Sequence, residues 1–261
     1  MSFLMIEFYK YQGTGNDFIL IDNRSATFAG DKIAFAQKWC ERRFGIGSDG
    51  VIFLEDHPEL DFYMDFYNPD GSQSFCGNGS RCVSAFARFL GMDKEELSFE
   101  AIDGKHVAVF TPEGVKIKMG DVQSVGKIGD DLFIDTGSPH YISYRSNNDN
   151  REIVAYGRKI RYSENYREAG TNVNLVEETG NDSIRVETYE RGVENETFAC
   201  GTGATACGLS FGLLKGLDRG PVIVDVKGGR LKIHFQRHGD SFTEVWLEGP
   251  ATYVFKGKID A

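Results

Sequence analysis

The chain has 261 residues, 41% hydrophobic and 26% charged, an ordinary globular balance that argues against disorder and suffices for one large domain or two small ones. Its formal net charge is −10, and without a dense Lys/Arg run it lacks the basic face of a nucleic-acid binder. The opening residues MSFLMIEFYKYQ lack the basic region, apolar stretch and cleavage site of a signal peptide, and no apolar run approaches the roughly 20 residues of a membrane span. The expectation is a cytoplasmic protein with no membrane or nucleic-acid partner.

Short runs rich in β-branched and aromatic residues, bounded by Gly, Pro, Asn or Asp, predict strands over 18–22, 51–55, 62–67, 106–111 and 115–119. The same reading gives strands over 132–135, 173–177, 184–189, 222–226, 231–236 and 243–247. Helices are fewer. Ile33, Phe35, Ala36 and Trp39 recur close to helical spacing and predict a helix over 32–43. Segments 80–90 and 204–214 are apolar all round the axis, which implies helices buried on every side.

The chain repeats itself. CGNGSRCVSAFARFLG begins at Cys76 and CGTGATACGLSFGLLKG at Cys200. Earlier segments pair in the same order: 19–22 with 133–135, 51–55 with 173–177, and 62–67 with 184–189. Repeats in register point to a duplication. The expected fold is α+β, with two pseudo-symmetric halves, 1–120 and 121–248. Each would be a curved antiparallel sheet or barrel around a central helix, with one repeated cysteine on each side of the cleft between them, a common place for ligands.

Five cysteines, Cys40, Cys76, Cys82, Cys200 and Cys207, are an odd count unlike a disulfide framework, and the lack of a Cys-x-x-Cys pair argues against structural zinc. Cys-Gly-x-Gly leading into a helix places a sulfur beside free backbone N–H groups and the positive end of the helix dipole. A thiol there ionises below its reference pKa of about 8.5, and a carboxylate can dock on the same N–H groups. The competing reading is a buried cysteine before a glycine-containing helix start; two copies at matched positions favour function. Inverting a stereocentre needs a base on one face of a carbon and an acid on the other, and two thiols can divide those roles. Helix starts aimed at an α-carboxylate would stabilise the charge that develops.

Other polar residues stand nearby in sequence. Gly13-Thr14-Gly15-Asn16-Asp17-Phe18 is a glycine loop before a strand, without the further glycine and helix of a dinucleotide site. Asn68-Pro69-Asp70-Gly71 reads as a turn before the first cysteine loop, and Glu190-Arg191-Gly192 holds a similar place before the second. Arg191 could grip a carboxylate through two hydrogen bonds or lie on the surface. His140, in Gly137-Ser138-Pro139-His140, could tune a thiol or be exposed.

Together these motifs, with Gly170-Thr171-Asn172-Val173-Asn174 and Ala199-Cys200-Gly201-Thr202-Gly203, resemble those of the diaminopimelate epimerase family, and the resemblance covers nearly the whole chain. It implies a cofactor-independent isomerase, acting on the amino acid diaminopimelate in lysine and peptidoglycan-precursor synthesis, with no metal and usually as a homodimer. Carried over residue by residue, it implies that Cys76 and Cys200 are the acid/base thiols. His140 and Glu190 would adjust their protonation. Asn16, Asn68, Asn172, Glu190 and Arg191 would hold substrate, and Gly77, Asn78, Gly201 and Thr202 would form the helix-start cradles. The C-terminal segment 249–261 would return to the first half, with Phe255 near a dimer contact. Ser138 departs from the asparagine usual in the family, Gly50 from a glutamine found in some members, and Val193-Glu194-Asn195-Glu196 is one residue longer than the commonest spacing. The rival readings are a proline or hydroxyproline racemase of similar architecture and, in a different class, a thiol redox switch.

Overall fold

A computed structural model describes residues 5–146 and 148–260. In chain order its elements are β1 (Met5–Gly13), β2 (Asn16–Asp22), α1 (Lys32–Trp39), β3 (Gly50–Glu55), β4 (Phe62–Tyr67), α2 (Gly77–Phe89), β5 (Glu96–Ala101), β6 (Gly104–Thr111) and β7 (Gly114–Lys118). There follow β8 (Gly126–Ile128), β9 (Asp131–Asp135), β10 (Pro139–Tyr144), α3 (Ile153–Arg161), β11 (Asn172–Glu178), β12 (Ser183–Glu190) and β13 (Asn195–Glu196). The last are α4 (Gly201–Leu214), β14 (Val222–Val226), β15 (Gly229–His238), β16 (Ser241–Gly249) and β17 (Thr252–Asp260). Contacts divide the chain into two compact units, Met1–Ile117 with Gly249–Ala261, and Lys118–Glu248.

In the first unit the strands run β17-β1-β2-β3-β4-β5-β6-β7, antiparallel except at β2/β3 and β4/β5. Parallel neighbours cannot be joined by a tight turn and need a crossover, which α1 and α2 supply. The second unit repeats the order as β8-β9-β10-β11-β12-β14-β15-β16, with β13 laid on β12. It is antiparallel except at β10/β11 and β12/β14, where α3 and α4 cross over. Thus β2 corresponds to β10, β3 to β11 and β4 to β12. The sequence pairing of 19–22 with 133–135 is therefore one strand out: 133–135 lies in β9, the counterpart of β1. Short apolar strands resemble one another, and only the hydrogen-bond order tells them apart.

Helices on both faces explain why the central strands carry almost unbroken apolar runs. Ile19, Ile21, Val51 and Phe53 point to one face, where they pack with Phe28, Phe35 and Ala36 of the α1 region. The alternate residues Phe18, Leu20, Ile52 and Leu54 point the other way and are fully buried, on the side of α2, which touches β1, β2, β3, β4 and β6. The second unit matches: Tyr141, Val173, Leu175 and Tyr189 pack with Ile153 of α3, and α4 touches β9, β10, β11, β12, β14 and β15. Gly208 and Gly212 let α4 approach β15, since a Cβ would come within 2.7 Å of Ile233 or 2.4 Å of the Phe235 ring.

The strands predicted from sequence are present within one or two residues at most ends, whereas α3 and the strands β1, β5, β8, β10, β13 and β17 were not legible. In α3 the obstacle is Gly157, a poor interior helix residue, present because a Cβ there would lie 2.4 Å from Tyr189. Helix α1 is shorter than predicted, ending at Trp39 with Cys40 as its C-cap. Among the described residues, no helix is long and apolar enough to cross a membrane.

Candidate active site

Both repeated cysteines are N-cap residues. Cys76 precedes α2 with extended backbone angles, and Cys200 precedes α4 in the same way. The helices start at Gly77 and Gly201, ahead of the predicted starts at 80 and 204, so each Gly-x-Gly forms a first turn whose N–H groups have no intrahelical partner. Cys76 is half-buried and Cys200 is 9% exposed. The Gly79 N–H points to Cys76 Sγ at 3.4 Å.

Around Cys76 runs a hydrogen-bond chain whose direction is fixed at both ends. Arg81, fully buried in α2, can only donate, and its Nη1 bonds Asn78 Oδ1 at 2.9 Å. Asn78 therefore turns its amide nitrogen to Asn16 Oδ1 at 3.2 Å, and Asn16 donates to the Asp49 carboxylate at 2.7 Å. This leaves Asn16 Oδ1 3.7 Å from Cys76 Sγ. Arg81 also bonds Thr14 Oγ1 at 3.2 Å and the Pro250 carbonyl at 3.3 Å. Thr14 and Gly15 both have positive φ, as a two-residue hairpin between β1 and β2 demands. Sequence reasoning did not single out Arg81 or Asp49; for Arg81, a charged residue in the first turns of a helix read as buried on every side was the available signal. Asn68 sits in the loop before Cys76, where its amide nitrogen holds Ser72 and Ser74.

Around Cys200 the network is different. Thr202 Oγ1 lies 3.5 Å from Cys200 Sγ and 2.9 Å from His140 Nε2. His140 is fully buried, so of the two readings of this residue the exposed one is wrong. Burial, reinforced by the Arg191 charge, pulls its pKa from 6.5 down to about 3, so the ring is neutral. Asn174 lies 3.3 Å from His140 Nδ1 and is held by Thr188; neither was recognised from sequence, although an Asn at an inward position of a buried strand was a cue. Asn172 donates to Ser138 Oγ at 2.9 Å and accepts the Arg191 N–H at 2.9 Å, so it ties the His140 turn to the Glu190–Arg191 turn. Arg191 is exposed, its guanidinium bonding the Ala169 carbonyl at 2.9 Å. Glu190 ends β12, half-buried.

The departures have local causes. A Cβ at Gly50 would lie 2.3 Å from the Phe66 ring, so no larger residue fits. Ser138 meets Asn172 directly. In the longer turn, Glu194 takes φ 57° and accepts bonds from the Gly192 N–H and the Tyr162 and Tyr189 hydroxyls. The remaining thiols are of another kind: Cys40, Cys82 and Cys207 are buried, and burial pushes Cys82 up to about 12 and raises Cys40 and Cys207.

The diaminopimelate epimerase family model matches residues 8–125 and 132–254. Among curated relatives, diaminopimelate epimerase of Flavobacterium psychrophilum is 44% identical over 97% of this chain and all of that one. That of Aquifex aeolicus is 38% identical over 97% and 98%. Among solved structures, a phenazine biosynthesis protein of the PhzF family from Bacillus anthracis superposes with TM-score 0.75 at 14% identity, covering 98% of this chain and 99% of the other. A hydroxyproline epimerase from Agrobacterium vitis gives 0.67 at 15%, covering 99% and 92%. At such identities the likeness is one of fold.

The neutral His140 has a consequence for stability. Its folded pKa lies below the unfolded value, so unfolding takes up a proton below pH 6.5 and stability is lost as pH falls toward 3, at about 1.4 kcal/mol per pH unit. In urea unfolding, the stability gap between wild type and His140→Gln should narrow between pH 6 and pH 4. A gap independent of pH would show that His140 is not buried neutral.

Proposed function

The chain belongs to the diaminopimelate epimerase family, and we propose on that premise that Cys76 and Cys200 are the two thiols that invert its substrate. The chain is an isomerase that interconverts LL- and meso-diaminopimelate, a step of lysine and peptidoglycan-precursor synthesis. One sulfur, as thiolate, removes the α-proton from one face; the other, as thiol, delivers its proton to the opposite face. Each turnover exchanges the protonation of the pair, and solvent resets it. No cofactor delocalises the carbanion, so the charge falls to backbone N–H groups. The first turns of α2 and α4 offer these at Gly77, Asn78, Gly201 and Thr202, with the partial positive charge of each helix start behind them.

The observation that carries this reading is the equivalent placement of both sulfurs, each the N-cap of the buried helix of its own unit. The remaining assignments are part of the proposal. Asn16, Asn68, Asn172, Glu190 and Arg191 hold the substrate's amino and carboxylate groups. Asn16 is suited by its fixed amide, and Arg191 by a backbone that Asn172 anchors. His140 and Glu190 adjust thiol protonation, His140 acting as a neutral hydrogen-bonding group. The protein works in the cytoplasm on this small-molecule substrate, without nucleic-acid or membrane partners.

We extend the proposal to a homodimer. Phe255 stands edge-on to Phe8 at 5.9 Å, and Phe89, Tyr253, Val254 and Phe255 are all exposed. Exposed apolar side chains along one stretch of chain suit an interaction site.

Cys76→Ala and Cys200→Ala should each lower kcat by on the order of a thousandfold or more with circular dichroism unchanged. Wild-type activity in either variant would remove that sulfur from the chemistry. Sedimentation should give a dimer mass that Phe255→Asp shifts toward monomer; a monomeric wild type would dismiss the dimer.

A further inference from the structure

The two thiols do not stand in equivalent surroundings. Strand register makes Phe18 the counterpart of His140, since Phe18 faces Gly50 as His140 faces Asn172. Likewise Val51 faces Tyr67 as Val173 faces Tyr189, which makes Ile52 and Phe66 the counterparts of Asn174 and Thr188. Three apolar side chains in one unit are therefore three hydrogen-bonding ones in the other. All three polar residues are buried, His140 and Asn174 fully and Thr188 at 4% exposure. Their helix sits close over them, because a Cβ on Gly203 would lie 2.9 Å from Asn174 Oδ1 and 3.2 Å from His140 Cε1.

The hydrogen bonds among them run in one direction only. Asn174 Nδ2 lies 3.0 Å from the Tyr141 carbonyl, which can only accept, so the amide nitrogen is on that side. Its oxygen accepts from the Thr188 hydroxyl at 2.9 Å. The second hydrogen of the same amide nitrogen then faces His140 Nδ1 at 3.3 Å, which must be unprotonated. The imidazole proton is left on Nε2, where it donates to Thr202 Oγ1 at 2.9 Å. The Thr202 hydroxyl keeps its own hydrogen for Cys200 Sγ at 3.5 Å, and toward a thiolate, which has no proton, it can only donate.

We propose that Asn174 and Thr188 are positioning residues that lock His140 in the Nε2–H tautomer, so that His140, through Thr202, holds a hydrogen-bond donor on the Cys200 sulfur and favours its thiolate. The counterpart positions beneath the first helix carry no hydrogen-bonding side chain, so the chain serves Cys200 alone. The inference rests on Cys200 being a reacting thiol, but its test needs no turnover.

The first measurement is the histidine 15N spectrum of the wild-type protein at pH 7, with the His140 signals identified by their loss in His140→Gln. A single neutral tautomer protonated at Nε2 is expected; an Nδ1–H tautomer or an imidazolium overturns the proposal. The second is iodoacetamide alkylation at pH 7, read thiol by thiol by peptide mass. In Asn174→Leu the Cys200 rate should fall roughly tenfold, as a thiolate fraction does when the thiol pKa rises by about one unit, while Cys76 keeps its wild-type rate. Thr188→Val should move Cys200 the same way by less, and serves where Asn174→Leu does not fold. Equal slowing of both thiols, or no slowing of Cys200, contradicts a directed chain. An epimerase assay alongside separates this result from the functional reading: the tautomer and alkylation pattern can hold in a protein that does not turn over, and can fail in one that does.

Discussion

A helix that begins inside a protein has a first turn of N–H groups with nothing in the helix to accept them. Burying such a turn costs free energy unless an acceptor is supplied, and both α2 and α4 begin this way. A cysteine stands at each N-cap with glycines behind it: at α2 the Cys76 sulfur accepts the Gly79 N–H at 3.4 Å, whereas at α4 the Cys200 side chain caps no N–H of its helix. A sulfur is a weak acceptor as a thiol and a good one as a thiolate, so N–H groups at a helix start favour the anion. A substrate carboxylate, or the charge that builds on it as the α-proton leaves, meets the need better still. On the proposed reading, catalysis draws on the first-turn N–H groups of both helices.

The rest of each unit keeps that helix start in place. The two crossovers set one helix on each face of a mixed sheet, and the central strands must then be apolar on both sides. Where glycine appears in or against the helices, it measures how close the packing is: Gly79 against Met64 and Ile52, Gly208 against Ile233, Gly212 against Phe235. The polar groups that enter this packing beneath the cysteines are held by directional hydrogen bonds. Arg81 is the clearest case in the first unit, a cation without a carboxylate among its three hydrogen-bond partners. The His140–Asn174–Thr188 chain is its opposite in the second, a neutral relay where the first unit has Phe18, Ile52 and Phe66. A duplicated scaffold has thus acquired two electrostatically distinct halves.

Much of this was legible in the sequence. The runs of β-branched or aromatic residues at 51–55 and 62–67 gave their strands almost to the residue, and apolar residues placed all round the axis in 80–90 and 204–214 gave the buried helices. What was not legible has physical reasons. Gly157 reads as a helix breaker, yet it lets α3 seat on Tyr189. The glycines after Cys76 and Cys200 read as loop, yet a helix's first turn tolerates them, and both helices begin ahead of the predicted starts. In strand β17 the apolar run at 253–255 is cut short by Lys256, Gly257 and Lys258, and Gly257 is there because a Cβ would lie 2.8 Å from the Phe8 ring. Asn174 and Thr188 look like interruptions of apolar strands until the register places them beneath a cysteine. Motif spacing finds the residues at helix starts; the groups that orient them come from other strands, and only pairing brings them into view.

The most direct test of two sulfurs sharing one inversion is the fate of hydrogen in heavy water. LL-diaminopimelate turned over in D2O, sampled before equilibrium and read by mass spectrometry, should give meso product carrying one solvent deuterium at the inverted centre, while recovered substrate stays largely unlabelled. Product that keeps the original hydrogen, or substrate and product labelled at the same rate, would mean a single base on one face and would contradict the account.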